Sequence, residues 1–400
     1  MHASDLRALC ESVLGQSWVE GERDGVAYAY TRPSPGRYEF QWYWDSCLAA
    51  VAWRHFDAGR ARAELESLLA AARPDGFIGH TIFWKPLRGA RLAFYNVTSP
   101  DDDMTSTIQP PLLPWAWRIA VGDPAADERV VRHHEAMRAA RDLDGDGLLW
   151  LLQPDESGLD ASPQFDRVWG RRAQGLPLFP LLVRRNRHLG FDIRRVAARG
   201  GPLLCEVLTN VLHGLAALAL GRPSLTPALV ARLWDAERGL FLPEARGARR
   251  PRAPQVETIA ALTPLALPDL PERIGRRLVE EHLLDPERFW SAVAPPSVAL
   301  REKSFSLEDR HLGLRRYWRG PTWVNTAWLC WMGMLRLGYE QEAAQLAERL
   351  LAAICREGLR EYYDPFTGAG MGAEDFAWSA LAMELLDPGE GPRTSYLGGV

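Results

Sequence analysis

The chain has 400 residues, 24% of them charged, and a formal net charge of −4. It has no run of Lys and Arg interleaved with aromatic residues, so we expect neither nucleic acid nor an anionic membrane as a partner. The N-terminus is acidic where a signal peptide is basic, and no apolar stretch approaches 18 residues, so we expect a cytoplasmic protein. Five scattered cysteines without a CxxC pair predict reduced, mostly buried thiols.

The first part of the chain alternates predicted helices with aromatic loops. An amphipathic helix is predicted over residues 6–14, and the segment YEFQWYWDS at 38–46 precedes a helix of small residues over 47–56. Asp45 and Ser46 are predicted as N-caps of this second helix. A third helix over 61–72 ends before a Pro-Asp-Gly turn, after which the loops GFIGHTIFW (76–84) and STIQPP (106–111) follow.

The rest of the chain is also predicted to be helical, and strand patterns are scarce. Helices in sequential pairs, joined at Gly, Pro or Asp with long loops at alternate joins, predict an all-α fold: one closed toroid whose inner helix ends carry the site. Ser- and Gly-rich linkers are absent, so we expect a single domain over residues 1–400. The further helices are predicted over 112–121, 125–140, 203–220, 227–238, 256–267, 271–282, 322–337, 340–356 and 374–386.

Half of the sixteen tryptophans lie in or beside Gly- and Pro-rich segments rather than within periodic helices. An indole offers a flat apolar face and one N–H donor, which suits the C–H face and hydroxyls of a sugar ring. Any one of these side chains is more simply explained by packing of a loop onto the core, but the set beside acidic loops favours a carbohydrate pocket. Its members are Trp42, Trp44, Trp84, Trp150, Trp169, Trp318, Trp323 and Trp378.

Two loops far apart in the chain carry carboxylates among Gly and Pro: PDESGLDASPQFDRVW at 154–169 and REYYDPFTG at 360–368. Two carboxylates beside Trp-rich loops are typical of a glycoside hydrolase. Spacing alone does not select the pair, because several carboxylates compete for the role. These competitors are Asp155, Glu156, Asp166, Asp364, Glu374 and Asp375.

No metal or other cofactor is predicted. Asp142, Asp144 and Asp146 match the first half of an EF-hand loop, but the twelfth position is Gln153, which cannot supply the bidentate carboxylate. A turn at a helix end is therefore favoured over a calcium site. The chain contains no HExxH, Walker, GxGxxG or GxSxG motif, which leaves metalloprotease, nucleotide, dinucleotide and acyl-transfer chemistry without support.

Several segments in order resemble glycoside hydrolase family 63, and within it most resemble the bacterial mannosylglycerate and glucosylglycerate hydrolases. The matching segments are QWYWDS (41–46), PDGFIGHTIFW (74–84), DLDGDGL (142–148), ESGLDASP (156–163), YWRGPTWVNTAW (317–328) and REYYDPFTG (360–368). The resemblance implies an (α/α)6 barrel and hydrolysis of an α-glycoside with inversion. It also implies that Asp160 is the general acid and Glu361 the general base. The substrate contacts that it implies are Tyr38, Trp42, Trp44, Asp45, Gln109, Tyr317, Arg319 and Trp323.

An inverting enzyme needs a protonated acid and an ionised base, with a gap of roughly 6.5–9.5 Å between them for the attacking water. The plain structural alternatives are a turn cap for Asp160 and a surface ion pair with Arg360 for Glu361. A chain of this length favours a small soluble substrate, and the resemblance implies 2-O-α-mannosyl- or glucosyl-D-glycerate. Its carboxylate would need a cation, and Arg319 or one of Arg184, Arg185 and Arg187 is predicted to supply it.

Two alternatives remain open from the residues alone. One is a different specificity on the same barrel, either trehalase or an oligosaccharide α-glucosidase. The other is a carbohydrate-binding protein without catalysis, which would keep the tryptophans but would not need Asp160 and Glu361. A sugar epimerase is less favoured, because among the aromatic loops only His80 offers an imidazole for proton transfer.

Overall fold

The computed structural model describes residues 3–85, 95–99, 102–171, 173, 175, 177–247, 256–308, 310–311, 314–315, 317–387 and 389–398. Helices make up most of the regular structure in these ranges. The α-helices are α1 (Ala3–Ser17), α2 (Tyr43–Trp53), α3 (Ala58–Ala70), α4 (Leu113–Ala120), α5 (Glu128–Arg141), α6 (Leu178–His188), α7 (Ile193–Ala198), α8 (Val207–Ala219), α9 (Thr226–Leu233), α10 (Glu272–Leu278), α11 (Val324–Arg336), α12 (Glu340–Glu357) and α13 (Ala382–Leu386). Short 3₁₀ segments lie at Pro124–Ala126, Pro154–Ser157, Pro163–Phe165, Ile259–Ala266, Ala377–Leu381 and Gly391–Thr394, and a π-helical turn at Val279–Leu283.

The strands are short and form small antiparallel sheets. They are β1 (Trp18–Arg23), β2 (Val26–Thr31), β3 (Gln41–Trp42), β4 (Thr81–Ile82), β5 (Trp150–Leu151), β6 (Leu203–Cys205), β7 (Trp234–Asp235), β8 (Leu240–Phe241), β9 (Glu244–Arg246), β10 (Arg310–His311), β11 (Leu314–Arg315), β12 (Tyr362–Tyr363) and β13 (Gly370–Met371). Within the described ranges, β5, β6 and β9 form a three-stranded sheet and the others pair in sequence as hairpins or across loops. The pairing of β3 with β4 holds the first two aromatic loops side by side.

Six helical segments form a closed inner ring. In order around the ring, α2 packs on α4, α4 on α8, α8 on Ile259–Ala266, that segment on α11, α11 on Ala377–Leu381, and the last segment again on α2. The outer helices α3, α5, α9, α10 and α12 each cover one of these segments, and α1 packs against Ala377–Leu381. The predicted (α/α)6 barrel is confirmed.

The inner and outer segments differ in their sequence patterns. All eleven residues of α2 are buried, and apart from Asp45 they are apolar or small, whereas α12 buries only one stripe and alternates it with Glu, Gln and Arg. Inside the ring the backbones come close: a Cβ on Gly333 of α11 would lie 2.4 Å from the Cβ of Leu265. A side chain at position 333 would therefore push two ring segments apart.

Some predicted element boundaries are wrong. The helix predicted over 203–220 begins with strand β6, and α8 starts only after Glu206, whose carboxylate caps it by accepting from the Thr209 N–H at 2.7 Å. The helix predicted over 256–267 is largely 3₁₀, because Pro264 interrupts it, and the one predicted over 374–386 is 3₁₀ at Ala377–Leu381 and α-helical only at Ala382–Leu386. Asp45 and Ser46 are not N-caps, because α2 begins at Tyr43.

The cysteines are free thiols, four of them buried and Cys355 half-buried, as predicted. Among the helices that the structure describes, none combines the length and the hydropathy needed to cross a bilayer.

Candidate active site

A cavity of about 550 Å³, counted with the open space at its mouth, lies at one end of the ring. The N-terminal ends of inner segments meet there: Trp42 and Trp323 occupy the N-cap positions of α2 and α11, and Trp378 lies in Ala377–Leu381. Nine of the ten residues implied by the family resemblance line this cavity. They are Tyr38, Trp42, Trp44, Asp45, Gln109, Asp160, Tyr317, Trp323 and Glu361.

Glu361 is held in a fixed orientation by hydrogen-bond donors. It is 3% exposed, and its Oε1 accepts from the Tyr38 hydroxyl at 3.0 Å while Oε2 accepts from the Ala373 N–H at 2.9 Å. The guanidinium of Arg37 lies 3.7 Å from Oε2. The surface ion pair with Arg360 considered from the sequence is not formed, because Arg360 pairs with Glu374 at 2.7 Å.

Asp160 lies in a tight loop that a glycine makes possible. The 3₁₀ turn Pro154–Ser157 ends at Gly158, whose φ of +71° is left-handed and whose absent Cβ would lie 2.7 Å from the ring of Trp44. Two residues later, Asp160 accepts a hydrogen bond from the Tyr317 hydroxyl at 2.8 Å on Oδ2. The loop thus brings this carboxyl to the cavity wall from a segment distant in sequence from Glu361.

Asp45 is a third carboxyl at the cavity, 8% exposed. Burial raises its pKa well above the ordinary value, and the nearby Glu361 and Asp160 raise it further. Asp45 lies in α2, which has no side-chain oxygen in its N-cap position. The Trp44 N–H in the first turn has no partner within the helix and donates to Gln109 Oε1 at 3.0 Å. Gln109 therefore fixes the start of the helix that carries Asp45.

The aromatic wall is continuous. Trp318 and Trp323 stack with ring centroids 3.8 Å apart, and Trp378 meets Trp323 at 5.8 Å and Trp44 at 5.0 Å edge to face. The indole nitrogens of Trp42, Trp323 and Trp378 are buried and find no hydrogen-bond partner within the described ranges. Buried N–H groups in a cavity are suited to hydroxyl acceptors, because burial without a partner is costly.

The comparisons with known proteins agree with this geometry. The family model described as the mannosylglycerate hydrolase MGH1-like glycoside hydrolase domain matches residues 38–379. The chain belongs to this family. It is 30% identical to a mannosylglycerate hydrolase of Rubrobacter radiotolerans over 96% of both chains, and 26% identical to a glucosylglycerate hydrolase of Mycolicibacterium hassiacum over 88% of this chain and 93% of that one.

The fold has a solved counterpart. The crystal structure of the family 63 mannosylglycerate hydrolase from Thermus thermophilus in complex with glucose superposes with a TM-score of 0.76 and 29% identity, covering 95% of this chain and 99% of that one. The resemblance to family 63 is confirmed, and the chain is a glycoside hydrolase. The family membership removes the support for a carbohydrate-binding protein without catalysis.

Arg319 is the predicted contact that does not line the cavity. It is 4% exposed and its guanidinium donates to both oxygens of Asp166, one of them at 3.0 Å. Of the other arginines considered for a glycerate carboxylate, Arg185 donates to Asn186 Oδ1 and Arg187 to the carbonyls of Tyr95 and Val97, while Arg184 is exposed and does not line the cavity. Among the described residues that line the cavity there is no Lys or Arg.

Some of the loop tryptophans lie away from the cavity. Trp84 stacks on Tyr28 at 4.5 Å, Trp169 packs edge-on against Phe165 at 5.8 Å, and Trp150 lies under the guanidinium of Arg246 at 4.3 Å. For these three the packing explanation holds.

Among the competing carboxylates, Asp375 is exposed, Glu374 pairs with Arg360, and the others are held away from the cavity, with one exception. Glu156 pairs with Arg141, Asp166 with Arg319, and Asp364 caps the turn that follows it. Asp155 is the exception, because it interacts electrostatically with Asp160.

The carboxylates of the acidic turn at 142–146 are bound by arginines from other segments and by backbone N–H groups of the turn. Asp144 is bound by Arg232 and Arg246, and Asp142 accepts from the N–H groups of Gly145 and Gly147. Across the described ranges, no group of three or more His, Cys, Asp and Glu side chains is arranged to hold a metal ion.

The sequence analysis missed two features of the cavity. Phe376 lines it and packs on both Trp378 and Tyr38, at 4.9 and 6.0 Å. Arg37, next to the aromatic segment, lies beside Glu361. Neither stands in a motif that chemistry alone would select, although Arg37 directly precedes the aromatic segment at 38–46 and Phe376 lies two residues before Trp378.

Proposed function

We propose that this glycoside hydrolase cleaves 2-O-α-mannosyl- or 2-O-α-glucosyl-D-glycerate with inversion, with Asp160 as general acid and Glu361 as general base. The observation that carries the proposal is the contrast between two carboxyls in one indole-walled cavity. Glu361 accepts from a hydroxyl and a backbone N–H and has a guanidinium 3.7 Å away, whereas Asp160 accepts from the Tyr317 hydroxyl and interacts with the carboxyl of Asp155; both groups interact with Asp45.

This contrast matches the two roles. Donors and a positive charge favour the ionised form of Glu361, which can take a proton from water as the water oxygen bonds to the anomeric carbon. Neighbouring carboxyls favour the protonated form of Asp160, which can give its proton to the glycosidic oxygen as the bond to the sugar breaks. The products are a β-sugar and glycerate, and the two carboxyls exchange their protonation states.

Sugar binding is assigned to Asp45 and the indoles. Asp45 supplies acceptors for hydroxyl protons, and the N–H groups of Trp42, Trp323 and Trp378 supply donors. The substrate class follows the names of the relatives, which act on mannosylglycerate or glucosylglycerate. One observation favours a second candidate: without a Lys or Arg among the described lining residues, the cavity also suits a neutral disaccharide such as trehalose.

The test is proton NMR of the purified protein with α-mannosylglycerate, α-glucosylglycerate and trehalose. We expect the β-anomer as the first sugar released from one of the two glycerates. The variants Asp160→Asn and Glu361→Gln should abolish turnover, while Glu374→Gln, which removes the same charge from a 75% exposed side chain outside the cavity, should not. Release of the α-anomer first, or full turnover in both cavity variants, would refute the roles, and turnover of trehalose alone would select the second candidate.

A further inference from the structure

Each of the two proposed catalytic carboxyls accepts a hydrogen bond from the hydroxyl of one tyrosine. Tyr317 donates to Asp160 Oδ2 at 2.8 Å, and Tyr38 donates to Glu361 Oε1 at 3.0 Å. All four side chains line the cavity. A tyrosine in this position can contact the substrate directly, or it can act on the reaction through the carboxyl that it holds. The packing of the Tyr317 ring favours the second role.

The ring of Tyr317 is seated on the strand next to the base. It stacks on the ring of Tyr362 with centroids 6.3 Å apart and planes inclined by 17°, and it meets Trp323 at 5.9 Å. Tyr362 is 2% exposed, directly follows Glu361, and pairs with Met371 between β12 and β13. Trp323 is 1% exposed and occupies the N-cap position of the inner helix α11. Two buried rings therefore fix the place of the Tyr317 hydroxyl.

The hydrogen bond from Tyr317 decides which oxygen of Asp160 carries the acidic proton. A carboxylic acid bears its proton on one oxygen and keeps the other as an acceptor. Because Oδ2 accepts from Tyr317, the proton of the neutral acid belongs on Oδ1. The hydroxyl does not itself keep Asp160 protonated, since a donor favours the ionised carboxylate. It fixes the direction in which the proton points.

We propose that Tyr317 is a positioning residue that holds Asp160 Oδ2 as an acceptor, so that the acidic proton lies on Oδ1 and is aimed at the glycosidic oxygen. As the bond between that oxygen and the sugar breaks, the proton passes from Oδ1 to it. The bonding electrons stay on the Asp160 carboxylate, which Tyr317 continues to hold. The role of Tyr317 rests on the general-acid role of Asp160 proposed above.

Two substrates that differ only in their leaving group separate positioning of the acid from contact with the sugar. The glycoside that the protein hydrolyses needs a proton on its leaving oxygen, whereas the α-fluoride of the same sugar releases fluoride without one. In Tyr317→Phe we expect kcat for the glycoside to fall roughly 10- to 100-fold, a part of the roughly 10²- to 10⁴-fold that a positioned acid contributes. Fluoride release, followed with an electrode, should stay within about threefold of the wild type. Equal losses on both substrates, or no loss on either, would overturn the role of Tyr317.

Tyr38→Phe is the matched control on the base side. It removes the same hydroxyl from a ring in the same cavity, but from the carboxyl that activates water, so both substrates should lose kcat by the same factor. Asp160→Asn is the benchmark for loss of the acid, and it should abolish hydrolysis of the glycoside but spare that of the fluoride. Equal loss of both substrates in Asp160→Asn would overturn the proposed acid. A selective Asp160→Asn beside an unselective Tyr317→Phe would remove only the role of Tyr317.

The pH dependence of kcat/KM for the glycoside gives a second readout. Removing a donor from the carboxylate disfavours ionisation of Asp160, so the basic limb should move about one pH unit higher in Tyr317→Phe. Tyr38→Phe should leave that limb in place and move the acidic limb, which reports Glu361. A lowered plateau with both limbs unmoved in Tyr317→Phe would indicate general damage and overturn the positioning role. A basic limb that moved lower would mean that Asp160 donates its proton to Tyr317, and the assignment of the proton to Oδ1 would be wrong.

Crystal structures of the wild type and Tyr317→Phe test the geometry without turnover. We expect the ring to stay on Tyr362, because the variant removes only one oxygen, and the Asp160 carboxyl to leave its wild-type orientation. In Tyr38→Phe the Asp160 carboxyl should not move. A carboxyl that keeps its orientation without the Tyr317 hydroxyl would overturn the positioning role, even in a protein that hydrolyses no glycoside.

Discussion

The ion pair of Arg141 and Glu156 provides a sharp test of what holds the acid loop, the segment at 154–169 that carries Asp160. Arg141 is 2% exposed and Glu156 fully buried, and their 2.7 Å contact lies four residues before Asp160. Glu156 also accepts from the Ile108 N–H at 3.1 Å, which ties the acid loop to the segment carrying Gln109. Replacing Arg141 by Met keeps most of the apolar stem and leaves a buried carboxylate without its cation.

The expected cost follows from the burial. Removing one partner of a buried pair costs about 3–5 kcal/mol, and we expect the lower end because Glu156 keeps the N–H groups of Ile108 and Leu152. That is a large part of the roughly 5–15 kcal/mol that typically separates folded from unfolded domains. The double variant Arg141→Met/Glu156→Gln leaves no buried charge, so it should be more stable than Arg141→Met alone.

The assay is urea unfolding followed by tryptophan fluorescence, with kcat/KM measured below the transition. Arg62→Met serves as control, because its ion pair with Glu66 joins two half-exposed side chains and should contribute little. A loss of less than about 1 kcal/mol in Arg141→Met, or a double variant less stable than the single one, would show that the pair does not secure the loop.

Two further changes test other parts of the structure. Burial raises the pKa of Glu64 to about 7 from an ordinary 4.5, so the folded state holds this proton more tightly than the unfolded chain does. The contribution of Glu64 to the free energy of unfolding should therefore be greatest below pH 4.5. It should fall by on the order of 1–3 kcal/mol as the pH rises to 7 and above. Urea unfolding of Glu64→Gln between pH 5 and 8 should show a flatter profile than the wild type, and parallel profiles would contradict the shift. Gly158→Ala should destabilise the protein by about 1–3 kcal/mol and lower kcat/KM, because a φ of +71° is unfavourable for alanine and the ring of Trp44 leaves no room for a Cβ. Normal stability and activity in this variant would mean that the turn is not strained.

The residues predicted from the sequence meet at one cavity more consistently than the predicted elements match the observed ones. Asp160 and Glu361 stand in motifs whose order along the chain resembles a family, so the cavity could be anticipated without coordinates. The pairing of Arg319 with Asp166 could not, because a sequence does not say whether an arginine beside a pocket faces a ligand or a neighbouring loop. The start of α2 is the same kind of case. Trp42 occupies the N-cap position without capping the helix, and the Trp44 N–H is instead satisfied by Gln109 from another loop.

Two ring segments that were predicted as α-helices, within 256–267 and 374–386, are 3₁₀ for a different reason. Ile259–Ala266 and Ala377–Leu381 are buried on every side, so their sequences carry no alternation of apolar and polar residues. Pro264 additionally prevents a regular α-helix in the first. Their conformation is decided by the space between neighbouring ring segments, a property of the assembled barrel rather than of any local window.

The closure of the ring has a consequence for how the protein reaches its native state. The contact that completes the circle joins α2, at residues 43–53, to Ala377–Leu381. A ribosome must therefore deliver more than three hundred intervening residues before the first inner helix meets its last neighbour. Until then Trp44 on the first inner helix lacks the ring of Trp378 against which it packs, so nascent chains of this protein should depend on chaperones during synthesis.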